Sequence, residues 1–269
     1  MQKTLLYYAV CAWEEDFTGA VIDYGAFPDQ RRAHFTLADA THTLQHDYPR
    51  AGLEGCLYQG LKALTDDLLA RSWLREDGLP LSIDQALIDA NWGASTDVVY
   101  QFCRESPHAA RLLPSHGKYI GASSQPMRER RRQPGERVGQ NWVMPSVTRK
   151  RAARHVVYDT NFWKSFMAAR WLATMGDRAS LALWGRDPAR HLCYAEHLCA
   201  EYRVPTEGRG RKVDEWKLRP EAHDNHWLDC TVGCVVAASL LGVALTCATF
   251  VKPRAPTAKL KLSALQRRR

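Results

Sequence analysis

Apolar and aromatic residues crowd two short runs near the amino terminus, Leu5 to Trp13 and Phe17 to Tyr24, separated by Glu14-Glu15-Asp16. Runs of this composition joined by a polar turn predict an antiparallel hairpin. From Gly52 to Leu74 the apolar positions Leu53, Cys56, Leu57, Leu61, Leu64 and Leu68 recur every three or four residues, which predicts a helix. Leu81 to Ala90 reads as a buried strand ending at Asp89, with Asn91-Trp92-Gly93 as a turn and Ser95 or Thr96 capping a helix over 97–104. A short strand at Ala110 to Pro114, a loop at His116-Gly117-Lys118 and a strand at Arg154 to Tyr158 are expected next. Helices follow at Asn161 to Met175, at Asp187 to Tyr202 and from near Asp224, with Glu207 to Lys212 as a basic loop. The last helix opens an uncharged run of 21 residues, Thr231 to Val251. That length suits either a bilayer span or a core helix ending near Gly242.

Charge changes the picture. The formal net charge is +8, but Lys252 to Arg269 holds seven basic residues and no acid, and Arg128 to Arg151 carries a net +6. The remainder is mildly acidic, and two concentrated basic segments suit a polyanion. The eight cysteines stand singly with no secretory signal before them, so they are expected to be reduced thiols. Neither His191-x-Cys193 with His197-x-Cys199 nor His226, Cys230 and Cys234 has the paired spacing of structural zinc sites. No internal repeat is present, and no Gly-x-x-x-x-Gly-Lys-[Ser/Thr] loop offers a nucleotide-driven motor.

The candidate chemistry lies in a few acids. Asp89 sits at the carboxyl end of a central strand before a turn and helix, where open α/β sheets place ligands; an Asx turn is its other reading. His226 and Asp229 are three residues apart on a helix and face the same way. Asp224 is read either as the cap of that helix or as a ligand, and Asp159 either as the cap of the helix after it or as a residue of the site. Hairpin, helix, strand with acid, helix, strand, helix and terminal helix with acid predict an α/β fold, a mixed central sheet flanked by helices. Ribonuclease H-like nucleases use that order. Separated carboxylates of this kind, Asp89 and Asp229 with Asp224 as a third candidate, suit Mg²⁺ or Mn²⁺, with His226 placed to handle the proton of a water.

Three runs carry a resemblance: Leu87 to Lys118, His155 to Trp171 and Arg219 to Ser239. They resemble the nuclease domain of the phage terminase large subunit of the lambda-like GpA type, over nearly the whole chain. The resemblance implies a ribonuclease H-like fold, Mg²⁺ or Mn²⁺, and endonucleolytic cutting of concatemeric double-stranded DNA during genome packaging. It matches Asp89 to the family's central-strand acid and Asp229, with His226 one turn before it, to the late-helix acid. It also makes the uncharged run a core helix rather than a membrane span.

Two departures follow. The family's first-strand acid would stand just before Met1-Gln2-Lys3, and the strand Leu5 to Trp13 holds none. Asp16 and Asp23 are poor substitutes by position. The chain is therefore expected to start downstream of the true start or to be a remnant, to be impaired as an enzyme, and to gain activity if an upstream Asp is restored. The missing motor loop means that an ATPase domain or polypeptide must come from elsewhere. The expected organisation is an endonuclease domain over 1–251 and a basic tail over 252–269, with Lys118, Arg128, Arg130, Arg131 and Arg132 contacting DNA phosphates. Expected partners are double-stranded DNA, the terminase ATPase and small subunit, and the capsid portal through the tail, all in the host cytoplasm. The competing expectation is a non-catalytic DNA-binding or assembly module of the same fold.

Overall fold

The computed structural model describes residues 4–91, 93–147, 153–222 and 224–245. The amino-terminal hairpin forms as expected. Strand β1 (Leu6–Trp13) pairs antiparallel with β2 (Gly19–Phe27), and β10 (Leu181–Leu183) adds to β2 in parallel, giving a three-stranded sheet ordered β1-β2-β10. A second sheet has five strands in the order β5-β6-β9-β8-β7: β5 (Ala86–Asp89), β6 (Leu112–Lys118) and β9 (Val156–Asp159) run parallel. β8 (Trp142–Met144) and β7 (Arg137–Gly139) then extend it antiparallel. Helices α2 (Leu53–Ala70), after a single turn α1 (Leu44–Asp47), and α3 (Thr96–Glu105) pack together over Ile88 and Leu112, sharing a core with Leu6 and Val10. Helices α4 (Thr160–Trp171), α5 (Leu192–Cys199) and α6 (His226–Leu241) build the other core around Trp163, Tyr194, Trp227 and Val235. The architecture is mixed α/β, a five-stranded mixed sheet flanked by helices.

Several expectations needed correction. The strand expected over 81–90 splits: Pro80–Leu81 (β4) turns back on Trp73–Leu74 (β3), and only Ala86–Asp89 joins the large sheet. His116-Gly117-Lys118 is strand rather than loop, because β6 must continue to pair with β9 from Ser115 to Lys118. The long helix expected over 187–202 is a turn followed by the eight residues of α5; Glu201–Gly208 (β11) instead pairs with Arg211–Leu218 (β12), so Glu207 to Lys212 holds the tip of a hairpin. Alternation over Tyr202 to Thr206 was the missed signal.

Helix α6 positions the chemistry. Trp227, Val232, Val235 and Val236 are buried at 2% exposure or less, and each such side chain contributes about 1.5–3 kcal/mol. The helix stops at Gly242, whose φ of 105° is left-handed, so the end expected near Gly242 forms there. Among the described residues no helix is long and apolar enough to cross a membrane. The basic tail over 252–269, and the end of the uncharged run from 246, lie outside the described residues.

Candidate active site

The parallel strands β5, β6 and β9 end on one side of the sheet, and α6 begins on the same side. A cleft of about 1260 Å³ opens between β1 and β5 and is lined by Asp89, His226 and Asp229 together with Tyr158, Lys164 and Asn225. The acids from the strand end and the helix start thus share one cavity. They also share neighbours. Burial pushes the Tyr158 hydroxyl far above its ordinary value, and the negative charges of Asp229 and Asp89 push it further. Burial likewise raises the Cys230 thiol to about 12, with both carboxylates adding to the effect.

Asp89 closes an Asx turn, its Oδ1 accepting the Asn91 N–H at 3.1 Å, so the bland reading of that residue holds alongside its place in the cleft. Asn91 in turn donates to the Gly117 carbonyl at 2.7 Å and meets His116 Nδ1 at 3.0 Å. Burial lowers the His116 basicity, and the neighbouring His155 adds to this against the pull of Asp89.

Asp229 is half exposed (52%) and takes part in a bridge: Lys164 Nζ lies 3.0 Å from Asp229 Oδ1 and 2.6 Å from Glu201 Oε1. Lys164 and Glu201 are both buried, and Asn225 donates to the same Glu201 oxygen at 2.6 Å. Burial alone would lower the Lys164 basicity, but the charges of Asp229 and Glu201 outweigh it and raise it above the ordinary lysine value. Lys164 was missed in the sequence, although a lysine inside the aromatic run Phe162 to Phe166 is a signal for a paired, buried charge.

His226 is held from two sides. Its ring packs against Tyr7 with centroids 4.5 Å apart, and its Nε2 lies 3.3 Å from Asp224 Oδ1. Asp224 is not the helix cap: Asn225 occupies that position, and Asp224 Oδ2 instead accepts the Leu37 N–H at 2.7 Å. Burial pushes its carboxyl up, but His226 and the Leu37 N–H win and hold it below the usual range. The first turn of α6 thus presents Asp229 to the cleft while Asp224 backs His226. Asp159, by contrast, is the expected cap, accepting the Phe162 N–H at 3.1 Å. Burial raises its carboxyl to about 6 against that bond.

Asp16 and Asp23 are engaged elsewhere, with Arg178 Nε and Arg71 Nη1, each at 2.8 Å. The arginine segment lies by β7, at the edge of the sheet opposite β5. There Arg130 grips the buried Glu136 through two bonds of 3.1 and 2.6 Å, and Arg132 donates to the Glu136 carbonyl at 3.2 Å. Arg128 and Arg131 are exposed. Lys118 is exposed at the end of β6, opposite Asp159 and between the cleft residues Gly117 and Tyr119. The candidate DNA contacts therefore fall at two places. Among the described residues the one group of three metal-type ligands within 4.8 Å is His34, Cys193 and Glu196, on another face. Those groups satisfy one another or the backbone: His34 Nε2 bonds Glu196 Oε2 at 2.7 Å, and the Cys193 thiol donates to the Phe35 carbonyl.

The chain is thus a mixed α/β domain that brings a strand-end carboxylate and a helix-borne His and Asp to one cleft. Residues 1–249 match the family described as terminase large subunit gpA, endonuclease domain, and the chain belongs to that family. Comparison with curated proteins and with solved structures gave no match.

Proposed function

We propose that this domain is a metal-dependent endonuclease that cuts concatemeric double-stranded DNA for phage genome packaging, on a ribonuclease H-like fold. The observation that carries the reading is the shared cleft of Asp89 and Asp229, reached from a strand end and a helix start. Both offer hard oxygen donors, and a cation already sits against one of them, the Lys164 ammonium on Asp229. That donor chemistry fits Mg²⁺ or Mn²⁺ held by Asp89 and Asp229. When bound, such an ion supplies Lewis-acid activation of the scissile phosphate and of the attacking water.

The chain's own residues do the rest. Asp224, 3.3 Å from Nε2, orients the His226 ring, so a proton taken from the cleft would go to the other ring nitrogen, Nδ1. Because that carboxylate also holds the Leu37 N–H, Asp224 orients the histidine in preference to serving as a third ligand. Lys164 holds the Asp229 carboxylate in place at the cleft. Lys118, Arg128 and Arg131 contact phosphates, whereas Arg130 and Arg132 shape the loop through Glu136. The ATPase and small subunit of a terminase, the capsid portal and the host cytoplasm are the partners and setting that go with this function.

Plasmid nicking in Mg²⁺ or Mn²⁺ tests the reading. The parent is expected to nick and Asp229→Asn to lose activity. Equal cutting by both would remove Asp229 from the mechanism, and salt-sensitive DNA binding without any cutting would leave a binding module.

A further inference from the structure

Between β2 and α1 the residues 28–43 form neither helix nor strand, an irregular loop of a length that usually carries a function. Few contacts tie it down. The buried Gln30 bonds the loop to itself at Thr41 and His42, and Phe35 packs edge-on to Trp227 in the interior. Beside Phe35, His34 reaches α5 from 162 residues away in sequence, its Nε2 meeting Glu196 Oε2 at 2.7 Å. On α5, Cys193 and Glu196 are three residues apart and face the same way. The ligand atoms of His34, Cys193 and Glu196 all lie within 4.8 Å of one another. Spacing along the chain could not show this group, because one member comes from so distant a segment.

The three side chains differ in depth in a way that suits an ion. The Cys193 thiol is buried and forms the floor, while the His34 and Glu196 side chains, each 52% exposed, have room to adjust. Burial raises the thiol above its ordinary value against a backbone contact at Phe35, and the negative charges of Glu196, Asp224 and Asp39 add to the rise. Such surroundings favour a divalent cation. Donor type narrows the choice: a thiolate, an imidazole and one carboxylate are ligands of Zn²⁺, whereas Mg²⁺ takes oxygen. Tetrahedral bonds of about 2.0–2.3 Å separate ligand atoms by roughly 3.3–3.8 Å, so closing round the ion needs shifts of about 1 Å. Two half-exposed side chains can make them. His34 and Glu196 turn from each other to the ion, and Cys193 releases its proton to solvent as the sulfur–zinc bond forms.

We infer that His34, Cys193 and Glu196 bind a Zn²⁺ ion, with water in the fourth position, and that the ion clamps the 28–43 loop to α5. The same loop carries the Leu37 N–H that holds Asp224, so the clamp stands behind the residue that orients His226. Its three residues lie outside the lining of the cleft that holds Asp89 and Asp229, and the zinc site does not depend on the nuclease reading.

Calorimetric titration of the chelator-treated full chain with Zn²⁺ tests this, with Co²⁺ as a spectroscopic stand-in and His34→Ala, Glu196→Ala, Cys193→Ser and Asp229→Asn alongside. The parent is expected to bind a single equivalent of zinc and to melt about 5 °C higher at zinc roughly a hundredfold above Kd. His34→Ala and Glu196→Ala alter half-exposed side chains, so they keep the test open should Cys193→Ser fail to fold. Each is expected to weaken zinc binding by about a hundredfold or more, while Asp229→Asn binds as the parent does. Co²⁺ is expected to give the parent a thiolate charge-transfer band that Cys193→Ser lacks. Amides of residues 31–37 are expected to exchange at least about fivefold more slowly with zinc in the parent, and not in His34→Ala. No uptake, equal uptake by the parent and His34→Ala, a parent without the cobalt band, or uptake lost only in Asp229→Asn overturns the site. Tight uptake with unchanged exchange at 31–37 upholds the site and overturns the clamp.

Discussion

Lys164 Nζ stands between two carboxylates, 2.6 Å from Glu201 and 3.0 Å from Asp229, one buried and one facing the cleft. Removing the ammonium strands Glu201 in the interior with only the Asn225 amide. Lys164→Met is expected to cost about 3–5 kcal/mol in urea unfolding, and the double variant Lys164→Met with Glu201→Gln to regain more than half of it. A single-variant cost under about 1 kcal/mol would show that the bridge is not sustained in solution.

Asp89 and Asp229 are exposed at the cleft, so replacing either by Asn is expected to leave stability within about 1 kcal/mol. Metal-supported nicking is expected to fall by about two orders of magnitude or more for each, measured on supercoiled plasmid at equal protein. The double variant should be scarcely worse than either single one, since the two acids act as a unit.

Asp159 gives a pH dependence of definite sign. Its carboxyl is raised from 3.8 to about 6 in the folded protein, mainly by burial. A raised folded value favours the protonated native state, so the stabilisation is present below about pH 4 and is lost as pH rises through about 6. Asp159→Asn keeps a good helix cap without the buried charge. It is expected to be more stable than the parent by about 2 kcal/mol at pH 8, with the gap closing by pH 4 in thermal melts.

The arginine segment separates into two roles. The pair Arg128→Ala and Arg131→Ala is expected to flatten the slope of log affinity against log salt for duplex DNA by about 2, with stability unchanged. Arg130→Ala should instead lower the melting temperature, because the Glu136 carboxylate, held below the usual range chiefly by Arg130, loses its main partner. Equal effects of the two changes on the salt slope would show that Arg130 also reads phosphates.

Strong periodicity and turn chemistry made much of the fold legible: the first hairpin, α2, the end of β5 at Asp89, the Asp159 cap and the stop at Gly242 all follow from short-range pattern. Most of what escaped depends on long-range pairing, the β11–β12 hairpin being the local exception. His116 to Lys118 looked like loop because Gly117 weakens a strand, yet β9 supplies a partner. The β11–β12 hairpin hid behind an apparently helical approach. Asp224 carried every mark of a cap, but Leu37, distant in sequence, claims its oxygen. The acids of the cleft could be named from strand and helix ends, whereas the Lys164 to Glu201 pairing joins α4 to the start of β11 and leaves no local trace.

Gly242 ends the helix that carries Asp229 in a left-handed conformation, with nothing within 4 Å of where a Cβ would stand. A side chain there would meet no clash; it would strain the backbone alone. Substitution there would therefore probe the helix stop by itself, through backbone strain and without loss of packing room.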